Sequence, residues 1–115
     1  ARVSHASSVL EDGRVVVTGR YCLSDQNTTE LYNSSTGLWT STGNLSLLRI
    51  DHTSSVLQNG KVLVAGGANS PTAELYDSST GKWNATGQMV QPRTSHSASV
   101  LNDGRVLVVG GTGDN

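Results

Sequence analysis

The sequence predicts an all-β protein built from repeated, four-stranded antiparallel units. A short apolar run follows an Asp-Gly or Asn-Gly pair three times, and the marker glycines Gly13, Gly60 and Gly104 lie 47 and then 44 residues apart. The chain has 115 residues, of which 13 are glycine and none is phenylalanine, and 35% are hydrophobic. A period of this length indicates a repeat architecture, and the composition favours turns and short strands over long helices.

Strands a and b of each unit are predicted on either side of the glycine pair. An Asp-Gly or Asn-Gly dipeptide between apolar runs favours a two-residue hairpin turn, which requires positive φ. The run after the turn lacks alternation, which indicates a strand buried on both faces between neighbouring sheets. Strand a is predicted at 5–10, 52–57 and 96–101, and strand b at 15–17, 62–64 and 106–109.

Strands c and d are predicted from a second recurrent segment. Residues 30–39 match residues 74–83 at a spacing of 44. Polarity alternates in the first half of each segment, as it does in a half-exposed strand, and strand c is predicted at 29–33 and 72–77. The Ser-Ser-Thr-Gly sequence then predicts a turn into strand d, which carries Trp39 or Trp83.

These markers together resemble the kelch repeat, as in the central domain of galactose oxidase. They are the Gly-Gly doublets that close strand b and the Tyr-x6-Trp spacing after it: Gly66, Gly67, Gly110, Gly111, Tyr32, Trp39, Tyr76 and Trp83. The resemblance covers essentially the whole chain. It implies that each unit is a β-propeller blade, with strand a nearest the central channel and the aromatic side chains packed between blades. Gly19-Arg20 replaces the doublet in the first unit.

The glycine doublets carry an expectation for folding. Glycine adopts positive φ without steric cost, whereas a β-branched residue resists it. Valine at Gly66 or at Gly110 is therefore expected to disrupt folding.

On this interpretation, residues 1–115 form a partial kelch propeller of about two and a half blades. The blades are predicted at 5–41, 52–85 and, for the first half of the third, 96–110. Propellers typically close with four to eight blades, so we expect the chain to be part of a larger propeller. The alternative is that identical chains self-associate into a ring.

Composition argues against several classes of protein. The net charge of −1 provides no electrostatic footprint for nucleic acid. The longest apolar runs, of four or five residues, are much shorter than a membrane-spanning helix, and no membrane insertion is expected. Cys22 is the single cysteine and cannot form a disulfide within the chain. A composition rich in serine, threonine, glycine and asparagine favours an extracellular location over a cytoplasmic one.

The loops that differ most between units are those between strands b and c and between strand d and the next strand a. In a meander these two sets lie on the same face, and loops displayed on a rigid frame are favoured sites of binding. The kelch resemblance implies a protein partner on that face. The predicted contact residues are Arg20, Tyr21, Asp25, Arg49 and Arg93. A structural role is the alternative for Arg49 and Arg93, because an arginine recurs there in every unit.

Three histidines recur in phase with the glycines: His5, His52 and His96. A ring of imidazoles could suggest zinc or copper, but a metal site draws three or four ligands to one point, and each histidine belongs to a different blade. We therefore expect each to cap the start of strand a by bonding to a neighbouring loop or backbone group, and we expect no metal or other cofactor. Glu30 and Glu74 are placed for a recurring structural hydrogen bond.

No catalytic motif of the Gly-x-Ser-x-Gly, phosphate-loop or His-Glu-x-x-His type occurs in the sequence. The favoured function is therefore a non-catalytic interaction scaffold that binds a protein partner. One alternative is part of a galactose-oxidase-like copper oxidoreductase, or of a carbohydrate-active propeller, with its active site outside this segment. The adjacent Tyr21 and Cys22 do not reproduce the tyrosine–cysteine pairing between separate segments that this resemblance implies. A second alternative is the substrate-recognition propeller of a ubiquitin-ligase adaptor.

Overall fold

The computed structural model describes residues 1–21 and 27–113, and this part of the chain contains ten β-strands. They are β1 (Arg2–Val9), β2 (Val15–Tyr21), β3 (Thr29–Asn33), β4 (Leu38–Ser41), β5 (Thr53–Val56), β6 (Val62–Ala65), β7 (Ala73–Asp77), β8 (Lys82–Ala85), β9 (Ser97–Val100) and β10 (Val106–Val109). The prediction of an all-β protein is confirmed. Among the described residues, no helix is long and apolar enough to cross a membrane.

The strands form three antiparallel sheets in which chain neighbours pair. Sheet 1 has the order β1-β2-β3-β4, sheet 2 has the order β5-β6-β7-β8, and sheet 3 consists of β9 and β10. Equivalent positions lie 47 residues apart between sheets 1 and 2 as far as strand b. They lie 44 residues apart from strand c onward, and also between sheets 2 and 3. The three sheets therefore correspond to the three repeat units of the sequence.

The hairpins between strands a and b differ from the predicted two-residue turn. In sheet 1 the Gly13 amide donates to the Leu10 carbonyl at 3.0 Å, and the Leu10 amide donates to the Arg14 carbonyl at 2.8 Å. Gly13 has φ +84°, whereas Asp12 is not among the residues with positive φ. This is a longer hairpin loop with one left-handed residue. Asp12 is favoured for another reason, because its Oδ1 accepts from the Arg14 amide at 3.0 Å.

Sheet 1 also departs from prediction where the glycine doublet is missing. Arg20 and Tyr21 were expected in a loop, but β2 continues through both and pairs with the start of β1, with Tyr21 opposite Arg2. The register shifts between Val3 and Ala6. With Arg20 in place of the second glycine, the chain stays extended where the other two units turn away.

The best-packed part of the core lies between sheets 1 and 2. Val16, Val62 and Tyr76 are completely buried, and Leu10 and Leu31 are nearly so. Val56 and Trp83 pack against this cluster. Strand b of sheet 2 has buried residues on both faces, as the apolar run predicts, because sheet 2 has a neighbour on each side.

The Tyr–Trp pairs of sheets 1 and 2 have the same geometry but differ in burial. Tyr76 and Trp83 are cross-strand partners with ring centroids 5.0 Å apart, and they pack against sheet 1. Tyr32 and Trp39 have the same separation in sheet 1, but Trp39 is 55% exposed. Tyr76 and Trp83 therefore pack between sheets as expected, whereas Trp39 lies on the open flank of sheet 1.

Gly66 and Gly110 occupy equivalent positions in the repeat, but their surroundings in the structure differ. Both have φ near +70°. A Cβ on Gly66 would lie 2.7 Å from the Arg93 carbonyl oxygen and 2.7 Å from His96 Cε1, whereas a Cβ on Gly110 would have no atom within 4 Å. Gly110 is thus constrained by its backbone conformation alone.

We predict that Gly110→Val lowers the free energy of unfolding by about 1–2 kcal/mol, the cost of a left-handed residue with a side chain. Gly66→Val adds a steric clash in a packed site, which costs roughly 1–3 kcal/mol more. Thermal unfolding followed by circular dichroism measures both. Equal losses in the two variants would contradict the packing difference.

Candidate functional site

The described loop residues between strands b and c (27–28 and 66–72) and between strand d and the next strand a (42–52 and 86–96) form one connected face, called the loop face below. The Gly67 amide donates to the Arg93 carbonyl at 2.8 Å, and the Met89 amide donates to the Pro71 carbonyl at 2.8 Å. In the preceding unit the Leu45 amide donates to the Asn27 carbonyl at 2.9 Å. Backbone hydrogen bonds therefore hold the two kinds of loop together on a rigid frame.

Arg49 lies inside this frame and is completely buried. Its Nη1 donates to the carbonyls of Gly66 at 2.9 Å and Thr72 at 2.8 Å. Its Nε and Nη2 donate to Glu74 Oε2 at 3.2 and 3.0 Å, and Nη2 also reaches Thr72 Oγ1 at 3.0 Å. Glu74 Oε1 accepts from the Ser46 amide at 2.8 Å. The guanidinium thus connects a d–a loop to the end of strand b and the start of strand c.

Arg2 repeats this arrangement in sheet 1. Its Nη1 donates to the carbonyls of Gly19 at 2.9 Å and Thr28 at 3.0 Å, and its Nη2 lies 2.8 Å from Glu30 Oε2. The Glu30 side chain is 40% exposed, against 4% for Glu74. Both glutamates therefore make a recurring structural contact, in an open setting in sheet 1 and a buried one in sheet 2.

These contacts decide how Arg49 and Arg93 can act. Because Arg49 is completely buried, it is not available to contact a partner. Its contacts are those of the structural role given above as the alternative. Arg93 is partly exposed, and its Nη1 donates to the Gly110 carbonyl at 2.6 Å. Arg93 therefore occupies the same structural position as Arg49 while keeping access to solvent.

The other three predicted contact residues lie in the first b–c segment. Arg20 and Tyr21 end β2, so their backbone belongs to the sheet. Asp25 lies outside the described residues. Their role as contacts stays a prediction.

Two of the three histidines connect neighbouring sheets. His52 Nε2 shares a 2.6 Å hydrogen bond with Thr18 Oγ1 of β2, and His96 Nε2 lies 3.0 Å from Thr53 Oγ1 of β5. Each imidazole thus bonds to a side chain of the preceding sheet, where a loop or backbone group was expected. His5 is exposed.

Burial explains the protonation state of these two imidazoles. Loss of solvent, with a smaller contribution from the Arg49 charge, lowers the pKa of His52 from 6.5 to about 4. Loss of solvent also lowers the pKa of His96. The Nδ1 atoms of both rings are buried without a hydrogen-bond partner among the described residues. Both imidazoles are therefore neutral at pH 7.

The hydroxyl that each histidine meets changes strand between sheets. In sheet 1 it belongs to Thr18, which pairs with Ala6. In sheet 2 it belongs to Thr53, which pairs with Ala65 at the equivalent positions. The threonine and the alanine have exchanged places across the strand pair, and a hydroxyl stays within reach of the next histidine.

The residue before each histidine has a strained backbone that the sequence does not signal. Ser4, Asp51 and Ser95 have φ values of 49°, 57° and 55°. Residues other than glycine rarely adopt this left-handed backbone conformation. Its recurrence at one repeat position therefore indicates a constraint of the fold. His52 and His96, which follow two of these residues, bond to the preceding sheet.

His52, His96 and the Tyr76 hydroxyl make contacts other than metal ligation. No group of three or more histidine, cysteine, aspartate or glutamate side chains comes together among the described residues. His52 and His96 bond to different threonines, and the Tyr76 hydroxyl is engaged with Thr42 Oγ1 at 2.8 Å. These side chains make contacts between sheets.

The loop face exposes two apolar side chains that the sequence analysis missed. Val90 is fully exposed and Leu47 is 42% exposed, each in a loop between strand d and the next strand a. Leu45, two residues before Leu47, is only 1% exposed, and Met89, next to Val90, is partly buried. The available signal was a group of apolar residues in each loop, Leu45, Leu47 and Leu48 in the first and Met89 and Val90 in the second.

Neither the family models nor the curated proteins compared with this sequence give a match. Among solved structures, the fold is similar to a fungal alcohol oxidase of the AA5 family, determined in complex with copper. The TM-score is 0.62 and the sequence identity 28%, over 70% of this chain and 18% of the oxidase. The chain therefore spans less than a fifth of that enzyme. The likeness is consistent with galactose-oxidase-like, kelch-type sheets.

We predict that Glu74→Gln destabilises the protein by about 3–5 kcal/mol, because it leaves Arg49 buried without its counter-charge. Glu30→Gln makes the same chemical change where the carboxylate is open to water, and should cost about 1 kcal/mol or less. Urea unfolding followed by tryptophan fluorescence compares the two. Similar losses would show that burial does not set the strength of the contact.

Acid should destabilise the protein through His52. Its folded pKa of about 4 lies below the unfolded value of 6.5, so the unfolded chain binds the proton first as pH falls. The contribution is fully present above pH 6.5 and is lost between pH 6.5 and 4, to a total of about 3 kcal/mol. Urea unfolding at stepped pH measures this loss.

The matched variant is His52→Gln, which should have a shallower decline over that pH interval. Carboxylates titrate in both proteins, so the difference between the two curves isolates the imidazole. Parallel curves would contradict the assignment to His52.

Proposed function

We propose that these residues form kelch-type propeller blades that serve as a non-catalytic scaffold and bind a protein partner through the loop face. The observation that carries the proposal is the pair of apolar side chains at Leu47 and Val90, exposed on loops whose bases are hydrogen-bonded to the frame. Binding residues on loops held by a rigid scaffold are a common arrangement.

The rigidity of these loops favours binding. The Met89 amide is hydrogen-bonded to Pro71, and Leu45 is both buried and hydrogen-bonded to Asn27. A partner that covers Val90 and Leu47 would remove apolar surface from water while ordering little additional backbone, and preorganisation of this kind lowers the cost of association. Arg20, Tyr21 and Asp25 remain proposed contact residues for the same partner.

A second candidate is a frame segment of a galactose-oxidase-like copper oxidoreductase. The likeness to the fungal alcohol oxidase favours it. In that case the ligands for the metal would come from parts of the protein outside the described residues, since these residues provide no cluster for it. The sheets would then hold the active-site loops of other segments in place.

The test expresses the protein in cells of its source organism, as the parent and as the variants Leu47→Arg, Val90→Arg and the control Ser79→Arg. Ser79 lies in the turn between β7 and β8, at the opposite end of the strands, and is exposed. We expect each loop-face variant to reduce recovery of the co-purifying partner at least tenfold, as the loss of a central contact does. Unfolding temperatures should stay within about 2 °C of the parent, as for other surface changes.

Two results would contradict the scaffold proposal: retention of the partner by both loop-face variants, or equal loss from Ser79→Arg. Measuring copper per chain in the same preparation, and oxygen consumption with primary alcohols, tests the second candidate. One copper ion per chain together with alcohol-dependent oxygen uptake would favour the oxidase proposal over the scaffold proposal.

A further inference from the structure

Four Asn-x-Ser or Asn-x-Thr motifs without proline at the middle position occur in the chain, and each is an acceptor motif for N-linked glycosylation. They begin at Asn27, Asn33, Asn44 and Asn84. Serine and threonine are frequent in this chain, so some of these motifs are expected by chance. The structure distinguishes them by burial, hydrogen bonding and position in the fold.

We propose that Asn33, at the turn between β3 and β4, is an N-glycosylation site in a protein that enters the secretory pathway, and that Asn27 carries no glycan. A glycan is bulky and hydrated, so the folded protein can carry one only where the acceptor side chain opens to solvent. Three observations support this choice, and none of them involves the apolar side chains of the loop face.

The first observation is the setting of the Asn33 motif. Asn33 is partly exposed, and Ser34 and Ser35 are exposed. Asn33 Oδ1 accepts from the Ser35 amide at 2.9 Å, whereas its Nδ2 makes no hydrogen bond to any residue that the structure describes. The atom that would carry the sugar is therefore not needed by the fold, and the oxygen that orders the turn is unchanged by glycosylation.

The second observation comes from the equivalent turn of sheet 2, which has Asp77, Ser78 and Ser79 at the same positions. Asp77 Oδ1 accepts from the Ser79 amide at 2.9 Å, so the two turns share their hydrogen bond. Sheet 2 contacts a sheet on each side, but Asp77 is still partly exposed and Ser79 is exposed. The turn is therefore open because of its place in the unit and not because a flank of sheet 1 is uncovered.

The third observation is the contrast with the Asn27 motif, whose polar groups are part of the packing. Asn27 Nδ2 donates to the Leu45 carbonyl at 2.6 Å, and the Asn27 carbonyl accepts from the Leu45 amide at 2.9 Å. Thr29 is completely buried, and its hydroxyl donates to the Gly43 carbonyl and accepts from Trp83 Nε1 at 3.3 Å. A glycan at Asn27 would have to displace these contacts.

The other two motifs are exposed but differ from Asn33 in position. Asn44 belongs to the loop face, three residues before Leu47, and a glycan there would cover the binding surface proposed above. Asn84 lies within β8, where it pairs with Leu75. Asn33 is at the opposite end of the strands from the loop face, so a glycan on it leaves that face free.

Glycosylation joins Asn33 Nδ2 to the anomeric carbon of an oligosaccharide that a lipid diphosphate carries. The bond from this carbon to the diphosphate oxygen breaks, the lipid diphosphate leaves with the electron pair, and Nδ2 loses one proton to solvent. Transfer takes place on the entering chain, and the folded structure then decides which product it can accommodate.

The test expresses the protein in cells of its source organism and locates its glycans. Enzymatic release of N-glycans in heavy-oxygen water converts each glycosylated asparagine into a labelled aspartate, which peptide mass spectrometry identifies. We expect label at Asn33 and none at Asn27.

Matched variants exchange the residues of the two equivalent turns. Asn33→Asp keeps the oxygen that accepts from Ser35, so the glycan should be lost while the unfolding temperature of the deglycosylated protein stays unchanged. Asp77→Asn creates the same motif in sheet 2 and should add one glycan in the turn between β7 and β8. Ser35→Ala should abolish the glycan at Asn33, and Ser35→Thr should retain it, because only threonine preserves the motif.

Three outcomes would overturn the proposal. Unlabelled Asn33 in the folded parent protein would show that this turn is not a glycosylation site. Labelled Asn27 in the folded protein would show that burial and hydrogen bonding do not select among the motifs. Folded Asp77→Asn protein without an added glycan would show that the open turn is not a sufficient setting for the motif.

Discussion

The buried guanidinium of Arg49 is the contact on which the middle of this fold depends. Its five N–H groups make five hydrogen bonds, to the carbonyls of Gly66 and Thr72, the hydroxyl of Thr72 and, twice, the carboxylate of Glu74. These groups come from the end of strand b and the start of strand c, while Arg49 precedes strand a of the same sheet. A charge is costly to bury unless it is paired and hydrogen-bonded. The arrangement therefore favours one relative placement of three chain segments.

Contacts between sheets follow the same principle with neutral groups. His52 and His96 each reach a threonine hydroxyl of the preceding sheet, although the threonine lies on strand b in one case and on strand a in the other. The exchange of Thr18 and Ala6 for Ala65 and Thr53 keeps the hydroxyl in place. What recurs from sheet to sheet is the interaction, and the side chain that makes it can come from either member of a cross-strand pair.

The number of neighbouring sheets also explains why residues at equivalent repeat positions differ in solvent exposure. Sheet 2 has a neighbour on each side, so Tyr76, Val62 and Val64 are fully buried. Trp39 in sheet 1 and Leu107 in sheet 3 are 55% and 49% exposed, whereas Trp83 and Leu63, at the equivalent positions of sheet 2, are partly buried.

Periodicity alone determined the strand order, the approximate strand bounds and the alignment of the three units. Local patterns are sufficient for this, because alternation, turn residues and repeat spacing act over a few neighbouring positions. The sequence also showed that Arg49 and Glu74 recur. It could not show that they meet, since 25 residues separate them and a recurring arginine is equally compatible with an exposed contact. Only the tertiary structure decided which arginine is buried, which glycine has room for a side chain, and that Leu47 and Val90 face solvent. Those properties depend on which segments pack together, and packing between distant segments leaves no local signature in the chain.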